Sequence, residues 1–314
     1  MSTTASPTPC EPVIQHRGRS DHSAHFHALG GPCRLHLHHP DLHLARQRLQ
    51  AAVAEIQRIE AKFSRYRDDS VIGHINRRAG ETVEVDEETA ALLELAATAH
   101  RLSEGRFDIT AGLLNQAWPI QGQQQPPSPE AIAELLPRVG WDKVDWRPPR
   151  LRLRPGMRLD LGGLGKEYAA DRALACLPAP ALVELGGDLV ANAPPPPGAW
   201  PVRLADPDHP GRERAVLPLV RGALATSGDG VRAFIHDGRR YSHLLDPRSG
   251  SPIHGAPRSV TVHAATCLEA GLLATLAMLH GPQAEDFLAA QGQPHWCLRD
   301  DVPECAVSPE PTGS

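Results

Sequence analysis

LDLGGLGKEYAAD, residues 159–171, passes from the end of a strand-like stretch through glycines at 162, 163 and 165 into a helical segment over residues 166–177. Glycines remove the Cβ that would block close approach, so backbone N–H groups in such a turn can reach an anion, and Lys166 at the helix start adds a positive charge. The spacing is neither that of a Walker loop nor that of a dinucleotide fingerprint. Taken alone, it fits a purely structural strand-to-helix turn as well as an anion site.

Upstream, residues 144–161 predict two short strands leading into this turn. Residues 121–129 (QGQQQPPSP) predict a loop, after which Pro129 and Glu130 suit the first turn of a short helix. Residues 87–102 are helical in spacing and stop at a turn beginning Ser103-Glu104-Gly105. Residues 44–63 are a longer helix with Leu49, Val53, Ile56, Ile59, Ala61 and Phe63 near one face. From His25 the chain alternates with period two, as a strand pair turning at Gly30 and Gly31 would.

Downstream, residues 182–190 predict a strand interrupted by Gly186 and Gly187, and APPPPG at 193–198 a stiff connector. Strand-like pieces recur at 200–205, 215–220, 233–236 and 258–263, and an apolar helix covers 268–280. Strands and helices follow one another without a βαβ rhythm, so the predicted class is α+β rather than a doubly wound sheet. Residues 1–24 predict a disordered tail, 25–300 one domain, and 301–314 a polar C-terminal tail.

Composition narrows the function classes. A net charge of −5, from 32 basic and 37 acidic residues, provides no broad basic face for nucleic acid. No run approaches the roughly 20 apolar residues of a membrane span, and the N-terminus has neither the cationic nor the apolar region of a signal peptide. The expected location is therefore cytoplasmic, with Cys10 in a polar, proline-rich stretch rather than at a lipid-attachment site. The six cysteines are scattered and predict reduced, structural thiols.

Two further strings could carry chemistry. Ala225-Thr226-Ser227-Gly228-Asp229-Gly230 ends a strand with two hydroxyls, suited to phosphate oxygens or to an ordinary Ser/Thr turn. His243 precedes Asp246 by three residues and is a candidate proton acceptor, although such a pair is also compatible with a structural role. His22, His25, His27, His36, His38, His39 and His43 raise a third class, a metal-binding protein, since His36 and His38 share one strand face. No carboxylate or cysteine pattern completes such a site.

FSRYRDDS (63–70) with Asn76, SEGRFDIT (103–110) running on to Trp118, LDLGGLGKEYAAD, VELGGDLV (183–190), LATSGD (224–229), SHLLDPRSG (242–250) and SVTVHAATCLEAGLLATLAMLHG (259–281) follow one another along the chain. Over about residues 26–282 they resemble the ApbE family of flavin transferases. The resemblance implies a T-fold-like α+β architecture, with mixed or antiparallel sheets, flanking helices, and FAD extended in a cleft between two lobes. It also implies Mg²⁺ at the pyrophosphate. Family members move the FMN half of FAD onto a threonine or serine of an acceptor flavoprotein and release AMP.

On the matching positions, Leu29 and Tyr66 should flank the nucleotide, and Arg106, Phe107 and Asp108 should line it. Asp160 should bond a polar edge of FAD, Lys166 should sit near its charged centre, and Ser227 should meet phosphate. His243 would act as the catalytic residue, deprotonating the acceptor hydroxyl or orienting the phosphate. Trp118 and Asp171 are expected to serve packing and structure.

The implied metal ligands are Thr275 and backbone carbonyls at Gly163 and Ala274. Here the chain departs from the pattern: family members carry an aspartate one helical turn before the threonine, where this sequence has Gly271. Metal affinity should then be weak and lean on the FAD phosphates. A second departure puts Glu167 where a glycine commonly follows the lysine, a charge that either compensates or competes. The alternative class is accordingly an FAD carrier, or an assembly factor for a redox enzyme, with transfer weakened or lost.

Overall fold

The computed structural model describes residues 12–118, 125–196, 198–206, 209, 211–229 and 233–299. Residues 1–11, 301–314 and 121–124 of the expected tails and loop lie outside them. In chain order the elements are β1 (Val13–Arg17), β2 (Asp21–Ala28), β3 (Gly31–His38), α1 (Leu42–Phe63), α2 (Val71–Arg77), β4 (Thr82–Glu84), α3 (Glu87–Leu102), α4 (Pro129–Leu135), β5 (Asp145–Arg147) and β6 (Arg150–Arg152). There follow α5 (Gly165–Ala175), β7 (Ala181–Leu185), β8 (Asp188–Ala191), β9 (Trp200–Ala205), β10 (Glu213–Leu219), β11 (Gly222–Gly228), β12 (Ala233–His236) and β13 (Arg239–Ser242). The chain closes with β14 (Ser259–Ala264), α6 (Cys267–Leu279), α7 (Ala284–Gln291) and β15 (His295–Leu298).

The main sheet runs β1-β2-β3-β7-β8-β11-β14-β15, with smaller sheets β4-β6-β5, β10-β9 and β12-β13. Every strand pairing among the described residues is antiparallel, so the class is α+β as predicted. β1 and the start of β2 occupy residues expected to be disordered, and the ordered domain therefore begins before residue 25. The pairing of β1 along β2 from Val13↔His25 to Arg17↔Asp21 satisfies its backbone despite its polar composition. The predicted strand at 182–190 is two strands, because Gly186 and Gly187 both take positive φ and reverse the chain into a hairpin.

Helix α1 packs on the sheet through Leu49, Val53, Ile56, Ile59 and Phe63, while Ala61 is only half-buried. Its partners in the core include Leu35 and Leu37 of β3, Val183 and Leu185 of β7, and Ala169, Ala170 and Ala173 of α5. The small alanines let α5 lie close to α1. Helix α6 lies against β11 and β14, with Ala274 and Ala277 packed on Val260 and Val262. Its N-terminus is capped twice: Thr266 accepts from Glu269 N, and the Asp171 carboxylate accepts the N–H groups of Cys267 and Leu268 at 2.8 and 2.9 Å. Asp171 is thus the structural partner it was expected to be.

Trp118 is likewise a packing residue. It is buried, donates its indole N–H to Gly250 O at 2.8 Å, and stacks on Tyr241. Cys33, Cys176, Cys267 and Cys297 are free thiols. Among the described residues, no helix is long and apolar enough to cross a membrane.

Candidate functional site

At one end of the main sheet several turns converge. A Cβ on Gly31, at the close of the β2–β3 turn, would stand 3.4 Å from Gly186 Cα in the β7–β8 turn, and one on Gly186 would meet Lys166 Cδ at 3.5 Å. Leu29 holds the first turn in the left-handed region at φ 53°, where its N–H donates to Glu60 Oε1 at 2.6 Å. The start of α5 enters the same region. Like α7, and unlike α1, α2, α3, α4 and α6, helix α5 has no side-chain N-cap; it begins at Leu164. Its N-terminal dipole and N–H groups are thus free of a capping side chain, as an anion site requires.

Lys166 forms ion pairs with the Asp188 carboxylate and, at 3.3 Å, with Glu167 Oε1. Asp188 is buried and its other oxygen accepts Thr226 N–H at 2.9 Å, which ties α5 to β11. Next along β11, the Ser227 hydroxyl is 3.0 Å from that of Thr275 on α6, and Thr226 Oγ1 lies 2.8 Å from Thr261 Oγ1. Lys166, Ser227 and Thr275 are therefore gathered by elements far apart in sequence. Asp188 was missed as a site residue; its only sequence signal is its place after the glycine pair in VELGGDLV.

The glycine turn is bounded by Phe107, whose ring carbon would be 3.3 Å from a Cβ on Gly163, and by Asp160. Asp160 Oδ1 accepts Gly162 N–H at 2.9 Å, and its other oxygen is bound by the Arg65 guanidinium. Arg65 also reaches the Tyr66 hydroxyl and lies over the Tyr66 ring, itself 79% exposed. Arg65 is a second residue that sequence reasoning passed over, although it stands inside FSRYRDDS.

Asp108 does not line an open surface. Its side chain is 1% exposed and accepts from Thr110 N and Oγ1 and from Trp141 N, with His100 Nδ1 at 3.3 Å. Burial pushes its carboxyl up, but these donors outweigh burial and hold it below the usual range. Its role is to anchor the segment that carries Arg106 and Phe107. Arg106 donates to Ser103 O and Glu104 Oε2 and lends positive charge to Asp246.

His243 is half-buried in the turn after β13. The Asp246 carboxylate is bound through both oxygens by Arg248. Strand β13 is fastened by Arg240, which grips Asp229 just beyond the end of β11. Of the N-terminal histidines, His38 pairs with Asp21, His22 with His16 and the carbonyl of His39, and His36 packs against Trp200. Among the described residues, no three ligating His, Cys, Asp or Glu side chains converge as a metal group.

Facing Glu167 from α6 is Gly271. A Cβ there would lie 2.5 Å from Glu167 Cγ and 3.2 Å from Glu167 Oε1, so the Glu167 side chain fills the space beside Gly271. Glu167 is buried, and its Oε2 has no hydrogen-bond partner.

An antiparallel α+β fold in which a glycine-led helix start, a lysine and a pair of hydroxyls lie at one end of the main sheet has groups of the kind that suit a phosphorylated ligand. The chain belongs to the ApbE family, whose model matches residues 29–296. A relative from Treponema pallidum (strain Nichols), named FAD:protein FMN transferase, is 32% identical over 281 residues, covering 81% of this chain and 77% of its own length. One of the same name from Klebsiella pneumoniae (strain 342) is 31% identical, covering 87% and 85%. The crystal structure of the ApbE protein of Thermotoga maritima superposes with a TM-score of 0.80 at 32% identity, over 88% of this chain and 94% of that one.

Proposed function

We propose that this chain is an FAD:protein FMN transferase that moves FMN from FAD to a threonine or serine hydroxyl of an acceptor flavoprotein. The observation that carries this reading is the convergence of the uncapped α5 start, Lys166 and the Ser227–Thr275 hydroxyl pair at one end of the main sheet. Oriented N–H groups, a lysine and hydroxyls together suit a pyrophosphate. Leu29, Tyr66, Arg106, Phe107 and Asp160 border the FAD, with Asp108 supporting them from inside.

In the transfer, His243 takes the proton of the acceptor hydroxyl as its oxygen attacks the FMN phosphorus. A phosphoester bond forms there while the bond to the bridging oxygen breaks, and AMP leaves with that oxygen and its electron pair. His243 then returns the proton to solvent. A positioned base supplies roughly 10²- to 10⁴-fold, and in-line alignment with charge neutralisation the rest.

The Thr275 hydroxyl and the Gly163 and Ala274 carbonyls are oxygen donors of the kind a hard cation takes, and the unpartnered buried carboxylate oxygen of Glu167 suits the same chemistry. Mg²⁺ held there would neutralise charge on the pyrophosphate. Gly271 favours the second reading, an FAD carrier or assembly factor without transfer. Incubation with FAD, Mg²⁺ and an acceptor protein separates the two: AMP release with flavin fluorescence retained on the denatured acceptor establishes transfer, whereas FAD recovered intact establishes the carrier.

A further inference from the structure

We propose that Glu167 supplies the carboxylate ligand of the cation site, from α5 rather than from α6, so that Gly271 is the partner of a relocated ligand and not a lost one. The inference rests on the reading of the site as one for FAD and Mg²⁺.

Three observations carry it. First, the two positions exclude each other sterically. With an ideal Cβ on Gly271 only 2.5 Å from Glu167 Cγ and 3.1 Å from Glu167 Cδ, any side chain at 271 would collide with the glutamate. A glycine at 271 is what lets a carboxylate from α5 occupy that place. Second, Glu167 is nine-tenths buried, its side chain 9% exposed, and Oε2 lacks a hydrogen-bond partner. An unsatisfied buried carboxylate oxygen is costly unless a ligand completes it. Third, the place is right. Thr275 lies one turn beyond Gly271 and so projects from the same face of α6, and its hydroxyl meets Ser227, the neighbour of the Thr226 that binds Asp188. Asp188 pairs with Lys166, which pairs with Glu167. The carboxylate and the threonine hydroxyl therefore stand on one closed ring of contacts.

Formal charge gives the relocation a consequence. Lys166 is flanked by two carboxylates, so the cluster carries one negative charge more than the lysine offsets. A pyrophosphate brought alone to this cluster meets net repulsion, and a divalent cation between them removes it. FAD binding should accordingly depend on the metal, and the dependence should run through Glu167.

The test titrates Mn²⁺, read by its electron paramagnetic resonance signal, into the full chain with FAD, and FAD into the chain with EDTA. Glu167→Gln keeps shape and removes charge. Its Mn²⁺ affinity should fall on the order of tenfold or more, while its FAD affinity in EDTA rises above that of the parent. The double variant Glu167→Gly with Gly271→Asp, which returns the carboxylate to α6, should recover Mn²⁺ binding that Glu167→Gly alone loses. Unchanged Mn²⁺ affinity in Glu167→Gln, with FAD still bound, overturns the relocation and leaves the transferase reading standing. Failure of the parent chain to bind FAD with or without metal overturns both.

Discussion

Arg240 grips Asp229 by side chain and main chain at once: its Nε donates to Oδ2 at 2.7 Å and its Nη2 to the carbonyl oxygen at 2.8 Å. This clamp fixes β13, and the turn carrying His243, against the end of β11 that bears Ser227. Arg240→Ala should slow transfer by about 10- to 100-fold, the effect of displacing a reacting group by an ångström or so, with FAD affinity unchanged. Arg240→Lys, which cannot form both bonds in the same fork geometry, should fall between. Single-turnover rates and an FAD titration check this, and an equal loss of FAD binding would show a wider collapse rather than mispositioning.

His243 is the proposed base. His243→Ala should lower the single-turnover rate by roughly 10²- to 10⁴-fold while FAD still binds. Fluorescence quenching of FAD measures the binding and AMP release the rate; a rate within a few fold of the parent would move the base elsewhere.

Arg65 orients Asp160 and lies over Tyr66 with its guanidinium carbon 4.7 Å from the ring centroid. Removing the charge with Arg65→Gln frees one edge of a carboxylate that borders the glycine turn and loosens the Tyr66 ring. FAD affinity should drop about tenfold, equivalent to ~1.4 kcal/mol, with little change in the rate at saturating FAD. A lowered saturating rate would give Arg65 a part in the chemical step.

The His100–Asp108 pair predicts a pH signature in stability. The bond to Asp108 raises the His100 pKa, so its contribution is full below the unfolded histidine value near ~6.5 and is lost as pH rises through the higher folded value. Asp108 is lowered, so its contribution is present above the unfolded value near ~3.9 and is lost as pH falls through the folded one. His100→Gln should therefore cost most between about pH 4 and 6.5 and progressively less at higher pH. Urea unfolding at pH 5.5 and 8.5 measures the difference. Asp108→Ala, which orphans several buried donors, should cost about 3 kcal/mol at neutral pH.

Much of the fold was legible along the chain. The face of α1, the span of α3 and the proline-led start of α4 follow from local periodicity and capping. The strand β1, read as tail, escaped because its VIQHR carries little apolar signal and is held by pairing with β2. Site residues divide the same way. Lys166, Ser227 and Thr275 sit in recognisable blocks and do converge, whereas Asp108 turned inward because its bonds to Trp141 and His100 come from segments that only folding brings near. Asp188 and Arg240 act through partners on other strands and left no local mark beyond their neighbours.

By itself the sequence determined the α+β class, the glycine turn that leads into α5, and the family, since periodicity, missing Cβ atoms and the order of blocks are properties of the linear chain. It also showed that Gly271 and Glu167 both depart from the family pattern. Only the tertiary structure decided that these are one change, with the Glu167 side chain lying in the space that Gly271 leaves open. Whether a carboxylate on one helix can stand in for one on another depends on how closely the two helices pack, and that distance is set by side chains from the whole core.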